Sequence, residues 1–306
     1  MRAYLDCQIL GDYEEFERAI GLVLKHVTSF DINSKVQVFE VTIRVLGGLL
    51  SAHIYASNPD LLGGRTLSNY NGELLSLAVD LADRLLPAFS SPTGIPYPRI
   101  NLRTGIVRGE TSETCSAGAG SLLLEFGTLS RLTGNPMYEN LAKTAFYEVY
   151  KRRNLNTDLL GNTIDAETGL WTNTITGVGA GIDSFMEYAV KSYILFDDIT
   201  YWDVWHTLYE SIKIHLQDHH KFIYKNINFV TTALATTWID SLAAYFPGLQ
   251  VLAGDIDSAI KGHLQYWGIW STFNMIPERY NYFTGRLELG FYPVIPPGRC
   301  NGAEVV

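Results

Sequence analysis

The sequence predicts an all-α protein whose helical hairpins close into a toroid. Four stretches with helical spacing of apolar residues each follow a short turn containing Gly, Asp or Asn, residue types that end one helix and cap the next. The hairpins differ in length, and long irregular loops separate them. These two features favour a closed toroid over a solenoid of regular repeats.

The four turns indicate where the second helix of each hairpin begins. The predicted second helices are Tyr13–Val27, Met137–Arg152, Thr200–Leu216 and Ile256–Trp270. Long loops are predicted at 57–70, 89–110, 154–181 and 218–236. Alternating apolar residues in the last loop indicate a small β-hairpin near 222–236. In folds of this kind, loops at one end usually carry the ligand contacts.

Composition excludes several classes of protein. The 306 residues are 47% hydrophobic and 18% charged, enough to bury a sizeable core. The net charge of −9 argues against a nucleic-acid partner. We predict no transmembrane segment, because the longest apolar stretch, Val36–Ala56, carries several polar side chains. No apolar segment follows the first residues, so we predict no signal peptide. Cys7, Cys115 and Cys300 fit no zinc motif and are interpreted as free thiols.

A polar stripe runs along the apolar helix at 36–56. Glu40, Arg44 and Ser51 share one face with Gly47 and Gly48. We expect the Glu40 carboxyl to be desolvated, which raises its pKa, whereas the Arg44 guanidinium lowers it. A general acid needs such tuning. A purely structural Glu40–Arg44 ion pair is the alternative.

A glycine-rich turn at 177–181 leads into a predicted helix whose first turn contains Asp183 and Glu187. The spacing is G-x-G-x-G and we predict no strand before it, so the turn does not match a dinucleotide fingerprint. The glycines could instead form a tight turn that lets the helix approach its neighbour. For Asp183 the alternative is an ordinary helix N-cap.

Other polar residues are weaker candidates. The segment 110–120 also begins a helix and fits a capping box. His215 and His219 have the spacing of a metal pair but lack a third ligand, so we interpret them as a solvated helix end. Asp240 begins a further helix and is a candidate for the same end of the toroid. Aromatic residues such as Trp238 and Tyr245 could stack on sugar rings or belong to the core.

Five ordered motifs resemble glycoside hydrolase family 47, the class I α-1,2-mannosidases, and within it the EDEM (ER degradation-enhancing α-mannosidase-like) branch. The likeness runs from about residue 10 to 293, and Gly181 matches the EDEM form of its motif. The motifs lie at 39–52, 113–120, 179–188, 246–252 and 277–281.

The resemblance implies an (α/α)₇ barrel, with roughly nine or ten of the fourteen helices in this chain, and inverting, Ca²⁺-dependent hydrolysis of α-1,2-linked mannose. By motif, Glu40 corresponds to the proton donor and Asp183 to a second acidic catalytic residue. Arg44 corresponds to an active-site arginine and Glu187 to an acidic residue near the sugar. The implied substrates are high-mannose N-glycans on misfolded glycoproteins in the endoplasmic reticulum lumen. A thiol oxidoreductase is an implied partner.

The likeness stops at the C-terminal tail. We expect one partial mannosidase-like domain at 1–293 and an irregular tail at 294–306. Relative to the family, we expect truncation at both ends: the first helix is shortened, and the chain stops before the third catalytic carboxylate and the calcium-ligand threonine. No calcium ligand is identifiable in this sequence. An unclosed barrel should expose apolar helix faces. The alternative function is a non-catalytic helical module that binds glycans or a partner.

Overall fold

The computed structural model describes residues 11–67 and 70–288. The chain divides into two compact units. The first contains the described residues up to Thr114 together with Leu122–Glu148 and Ala166–Thr168. The second contains Cys115–Ser121, Val149–Asp165 and the described residues from Gly169 onward. The predicted tail at 294–306 lies outside the described residues, as do Cys7 and Cys300.

Helices dominate the described chain, as the sequence predicts. In chain order they are α1 (Tyr13–His26), α2 (Val38–Val41), α3 (Gly47–Ser57), α4 (Glu73–Leu85), α5 (Ser116–Gly120), α6 (Leu123–Thr133), α7 (Met137–Lys151), α8 (Asp183–Phe196), α9 (Ile199–His215), α10 (Phe246–Leu252) and α11 (Ile256–Phe273). A π-helical segment, Thr42–Leu46, joins α2 to α3. Short 3₁₀ helices occur at Pro59–Leu62, Leu86–Phe89 and Ser241–Tyr245.

The predicted helix starts are confirmed to within one residue, because each is set by a local cap. The carboxylates of Asp12, Asp198 and Asp255 accept hydrogen bonds from main-chain N–H groups at the starts of α1, α9 and α11, each at 3.1 Å. Each cap satisfies one of the N–H groups that has no partner inside the helix.

The strands are short and occur in the loops. They are β1 (Lys35–Gln37), β2 (Arg99–Asn101), β3 (Glu113–Cys115), β4 (Thr163–Asp165), β5 (Trp171–Asn173), β6 (Ile175–Thr176), β7 (Asn226–Asn228), β8 (Leu234–Thr236), β9 (Trp238–Asp240), β10 (Arg279–Asn281) and β11 (Arg286–Leu287). β7 and β8 pair antiparallel, which confirms the hairpin predicted near 222–236, and β6 extends their sheet. β9 pairs with β10.

Each unit has its own apolar core. In the first, the Phe126 ring packs edge-on against Phe89 and Tyr138, with centroid distances of 5.4 and 6.4 Å. In the second, Trp205 and Tyr209 stack at 4.6 Å on α9. Such aromatic pairs contribute on the order of 1 kcal/mol beyond the area they bury.

Some apolar faces are exposed. On α11, Ile256, Ile260, Leu264 and Trp267 are each about half exposed, in agreement with the expectation of exposed apolar helix faces. By length and composition, one helical run in the described part of the chain, Val38–Ser57, could cross a membrane, although we predicted that no stretch would. Core helices pass the same test, and 33% of its most apolar window is buried.

Candidate active site

The first candidate group lies on the helical run that begins at Val38. The run changes from α-helix to π-helix at Thr42, and the Gly47 N–H bonds the Thr42 carbonyl five residues back. A π-helical turn inserts one extra residue into a helix and is frequent at functional sites. The sequence pattern gave no sign of this turn, which begins two residues after Glu40.

Glu40 and Arg44 form an ion pair across one helical turn. Their side chains are 39% and 69% exposed. The expectation that Glu40 would be desolvated is therefore wrong for this structure. The helix buries Val38, Thr42 and Leu46, and the ion pair lies on the opposite side. An exposed pair of this kind contributes less than about 1 kcal/mol to stability.

A second carboxylate, that of Glu125, lies against the small residues of the predicted stripe. A Cβ on Gly47 would lie 3.3 Å from Cγ of Glu125 and 3.5 Å from its Oε1. The Ser51 hydroxyl donates to the Gly47 carbonyl at 2.8 Å. Glu125 belongs to α6 and was not singled out from the sequence, because only the fold brings it to the glycine.

The second candidate group lies in the second unit, at the start of α8. Asp183 is the first residue of the helix, and the N-cap is Ile182, which makes no side-chain cap. The interpretation of Asp183 as an N-cap is therefore wrong. Its carboxylate instead accepts a hydrogen bond from the Ser184 N–H at 2.9 Å.

The glycine-rich turn before α8 is packed closely against its surroundings. A Cβ on Gly120 of α5 would overlap the Phe185 ring, and a Cβ on Gly181, which has φ +89°, would overlap the Asn162 side chain. The Ala117 N–H also donates to the Gly181 carbonyl at 2.9 Å. These contacts agree with the interpretation of the turn as a device for close approach of the helix.

The electrostatic surroundings of Asp183 make it hard to ionise. Burial raises the pKa of its half-buried carboxyl to about 6, with the like charges of Asp240 and Glu187 adding to the effect and the Ser184 N–H opposing it. Conversely, the Asp183 charge adds to the burial that raises the pKa of the Cys115 thiol. Glu187 itself pairs with Lys191 at 2.6 Å. The structure thus brings Asp183 and Glu187 together in the second unit, while Glu40 and Arg44 form a pair in the first.

Asp240 ends β9 and caps the 3₁₀ turn at Ser241–Tyr245. It accepts hydrogen bonds from the N–H groups of Ala243 (3.0 Å) and Ala180 (3.4 Å). Burial raises the pKa of its carboxyl, and the Glu278 charge adds to the effect. The sequence suggested Asp240 only as one of several helix starts, and its contact with the glycine-rich turn is a product of the fold.

A pocket of about 330 Å³ opens beside Asp240 within the second unit. Its lining includes the amides of Asn162, Asn173 and Asn226, the indole of Trp238 and the Asp240 carboxyl, and none of its described lining residues is Lys or Arg. Amides and carboxyls can bond the hydroxyls of a neutral ligand, and an indole offers an apolar face. This lining suits a sugar better than an anion.

The described residues do not form a metal site. No three His, Cys, Asp or Glu side chains among them are grouped closely enough to hold a metal ion. Ca²⁺ takes six to eight oxygen ligands, and the carboxylates described above are engaged in other contacts. The rings of His219 and His220 lie 3.6 Å apart, but no third ligand accompanies them in this part of the chain. The structure therefore gives no support to the expected Ca²⁺ site.

Comparisons with known proteins identify the same family as the sequence motifs do. Residues 5–290 match the model of glycosyl hydrolase family 47. The chain is 49% identical over 288 residues to ER degradation-enhancing alpha-mannosidase-like protein 1 of Schizosaccharomyces pombe, covering 94% of this chain and 36% of that protein. It is 44% identical to alpha-mannosidase I MNS4 of Arabidopsis thaliana, covering 94% of this chain and 46% of that protein. The chain thus spans less than half the length of these relatives.

A solved structure shows the same fold. The alpha-1,2-mannosidase from Trichoderma reesei matches with a TM-score of 0.78 and 26% identity, over 92% of this chain and 62% of that one. This likeness confirms the predicted fold class. Together with the family match over nearly the whole sequence, it shows that the chain belongs to glycosyl hydrolase family 47.

Proposed function

We propose that this chain takes part in the inverting hydrolysis of α-1,2-linked mannose in high-mannose N-glycans. The observation that carries the proposal is Asp183, a half-buried carboxyl whose pKa is raised to about 6, in the same unit as a pocket suited to a neutral sugar. A carboxylate with such a pKa is a stronger base than an ordinary aspartate, as the activation of water requires.

The two carboxyls have complementary roles in the proposed reaction. Glu40 protonates the glycosidic oxygen as the bond to the anomeric carbon breaks. Asp183 accepts a proton from the water that attacks that carbon from the opposite face. Arg44 pairs with Glu40, and Glu187 binds the sugar.

The cellular setting is proposed from the relatives. Several of them are named as ER degradation-enhancing proteins, which supports a role in the degradation of misfolded glycoproteins in the endoplasmic reticulum lumen. A thiol oxidoreductase partner is proposed from the family resemblance alone. Burial raises the pKa of the Cys115 thiol, which lowers its thiolate fraction and its reactivity. Such a partner would instead engage Cys7 or Cys300.

A non-catalytic glycan-binding module is the second candidate. The exposed Glu40–Arg44 pair favours it, because a general acid usually lies in a site that is shielded from water. The pocket lining would serve binding equally well.

Mannose release and glycan binding separate the two functions. The chain and its Glu40→Gln variant are each given a high-mannose glycan, and free mannose and the dissociation constant are measured. For an enzyme, Glu40→Gln lowers turnover by about 10²- to 10⁴-fold and leaves binding intact. Binding without mannose release in both proteins identifies the module. A Glu15→Gln variant, which removes a similar exposed carboxylate paired with Arg18 on α1, is the matched control.

A further inference from the structure

The 3₁₀ turn at Ser241–Tyr245 contacts the Asp183 region at both of its ends. Its first end is capped by Asp240, whose carboxylate accepts from the Ala243 N–H and so holds the turn to β9. The same carboxylate lies against the glycine-rich turn that leads to Asp183, where it accepts from the Ala180 N–H.

The contact at Asp240 is tight enough to depend on glycine. A Cβ on Gly179 would overlap both carboxylate oxygens of Asp240 and lie 2.7 Å from its Cγ. Ordinary van der Waals contact begins at 3.4 Å. The nearest atoms, the two oxygens at 2.4 Å, would therefore have to move by about 1 Å, so any side chain at position 179 would displace the Asp240 carboxylate from its present contacts.

Tyr245, the last residue of the same turn, contacts the first residue of α8 directly. The Tyr245 hydroxyl donates a hydrogen bond to the main-chain carbonyl of Asp183 at 2.7 Å. Burial raises the pKa of Tyr245 well above its usual value, with the charges of Asp183 and Glu187 adding to the effect. The hydroxyl therefore stays protonated and remains a donor at any pH the protein meets.

We propose that this turn is a clamp that positions Asp183, with Tyr245 as its positioning residue. The proposal rests on the proposed function for the role of Asp183 as a catalytic carboxyl. Asp240 holds the glycine-rich turn in front of Asp183, and Tyr245 holds the first residue of α8. Because both contacts come from a single short turn, the glycine-rich turn and the start of α8 cannot shift independently of each other.

A purely structural tyrosine would behave differently. If Tyr245 only filled space, removing its hydroxyl would change stability but leave the environment of the Asp183 carboxyl intact. If it is part of the clamp, removing the hydroxyl loosens the start of α8 and lets water reach that carboxyl. The ionisable groups that face the carboxyl are Asp240, Glu187, Tyr245 and Cys115, and Tyr245→Phe leaves the other three unchanged.

The test compares Tyr245→Phe with Tyr224→Phe. The Tyr224 hydroxyl bonds Gln250 and Gln217 in a separate network, so it is a matched control. The midpoint of the Asp183 carboxyl titration is measured by carbon-13 NMR without glycan, and kcat and KM for mannose release are measured in parallel. We expect Tyr245→Phe to lower the midpoint and to lower kcat by about 10- to 100-fold with little change in KM. Tyr224→Phe should change neither.

The titration decides the proposal independently of activity. An unchanged Asp183 midpoint in a folded Tyr245→Phe variant overturns the clamp, whether or not the chain hydrolyses glycans. A lowered midpoint in a chain that releases no mannose upholds the clamp and overturns only the proposed function. If Tyr245→Phe does not fold, Gly179→Ala disturbs the other end of the clamp while keeping the hydroxyl. An unchanged midpoint in that variant overturns the clamp as well.

Discussion

Replacing Asp183 by asparagine should stabilise the protein at neutral pH. The pKa of the Asp183 carboxyl is raised from 3.8 to about 6, so the folded chain holds the proton more tightly than the unfolded chain. The carboxyl therefore favours folding fully below pH 3.8, and this contribution is lost as the pH rises through about 6. Asparagine keeps a neutral group of the same shape at every pH, and its amide oxygen can still accept from the Ser184 N–H.

The shift sets an upper limit on the size of the effect. A shift of about two pKa units corresponds to about 3 kcal/mol. Because the Asp183 carboxyl is not fully buried and water screens part of its charge, we expect about 1–2 kcal/mol at pH 7.5. Linkage predicts about a third of that value at pH 4.5, where the folded carboxyl is already protonated and the unfolded one is mostly ionised.

Urea unfolding of the parent and Asp183→Asn chains at pH 7.5 and 4.5 measures this difference. Asp255→Asn is the matched control, since it also replaces a carboxylate at a helix start in the same unit. At Asp255 burial is outweighed by hydrogen bonds from Tyr209 and Ser258, which lower the pKa, so its replacement should destabilise the chain at pH 7.5. The reasoning would be refuted if Asp183→Asn destabilised the chain at pH 7.5, or stabilised it equally at both pH values.

Two further predictions concern packing and pH. Gly120→Ala places a Cβ in the Phe185 ring and should destabilise the chain by about 1–3 kcal/mol. A Cβ at Gly268 on α11 meets nothing within 4 Å, so Gly268→Ala should stabilise the chain by up to about 1 kcal/mol. Urea unfolding of both variants measures the two effects. If Asp183 is the base, kcat for mannose release should rise with pH through about 6, because the carboxylate form is needed; a rate that is flat between pH 5 and 7 would contradict this role.

Features that depend on neighbouring residues were predictable from the sequence. The caps at Asp12, Asp198 and Asp255 each act within three residues, so a short pattern is sufficient to place them. The hairpin formed by β7 and β8 also follows from local alternation. The Glu40–Arg44 ion pair, which the sequence analysis gave as the alternative to a catalytic role, also follows from local i, i+4 spacing.

Features set by distant contacts were not predictable in the same way. Apolar spacing predicted that Glu40 would be desolvated, but spacing does not specify which side of a helix another element covers. Tyr245 was interpreted as a residue for sugar stacking or the core, whereas the fold directs its hydroxyl to a carbonyl 62 residues away. The approach of Asp240 to Gly179 likewise joins two segments that no local pattern connects.

The charges around Asp183 lower the stability of the folded chain at neutral pH, and a functional role would offset that cost. Three carboxyls, Asp183, Glu187 and Asp240, interact in one unit, and the like charges raise the pKa of the first. A sequence selected for stability alone would replace one of them, as Asp183→Asn tests. The fold instead anchors the segment with the Tyr245 hydrogen bond and the close contact at Gly179. Strained or electrostatically unfavourable groups that the surrounding structure holds in place are typical of functional sites. A catalytic role for Asp183 explains why the destabilising charge and the contacts that restrain it occur together.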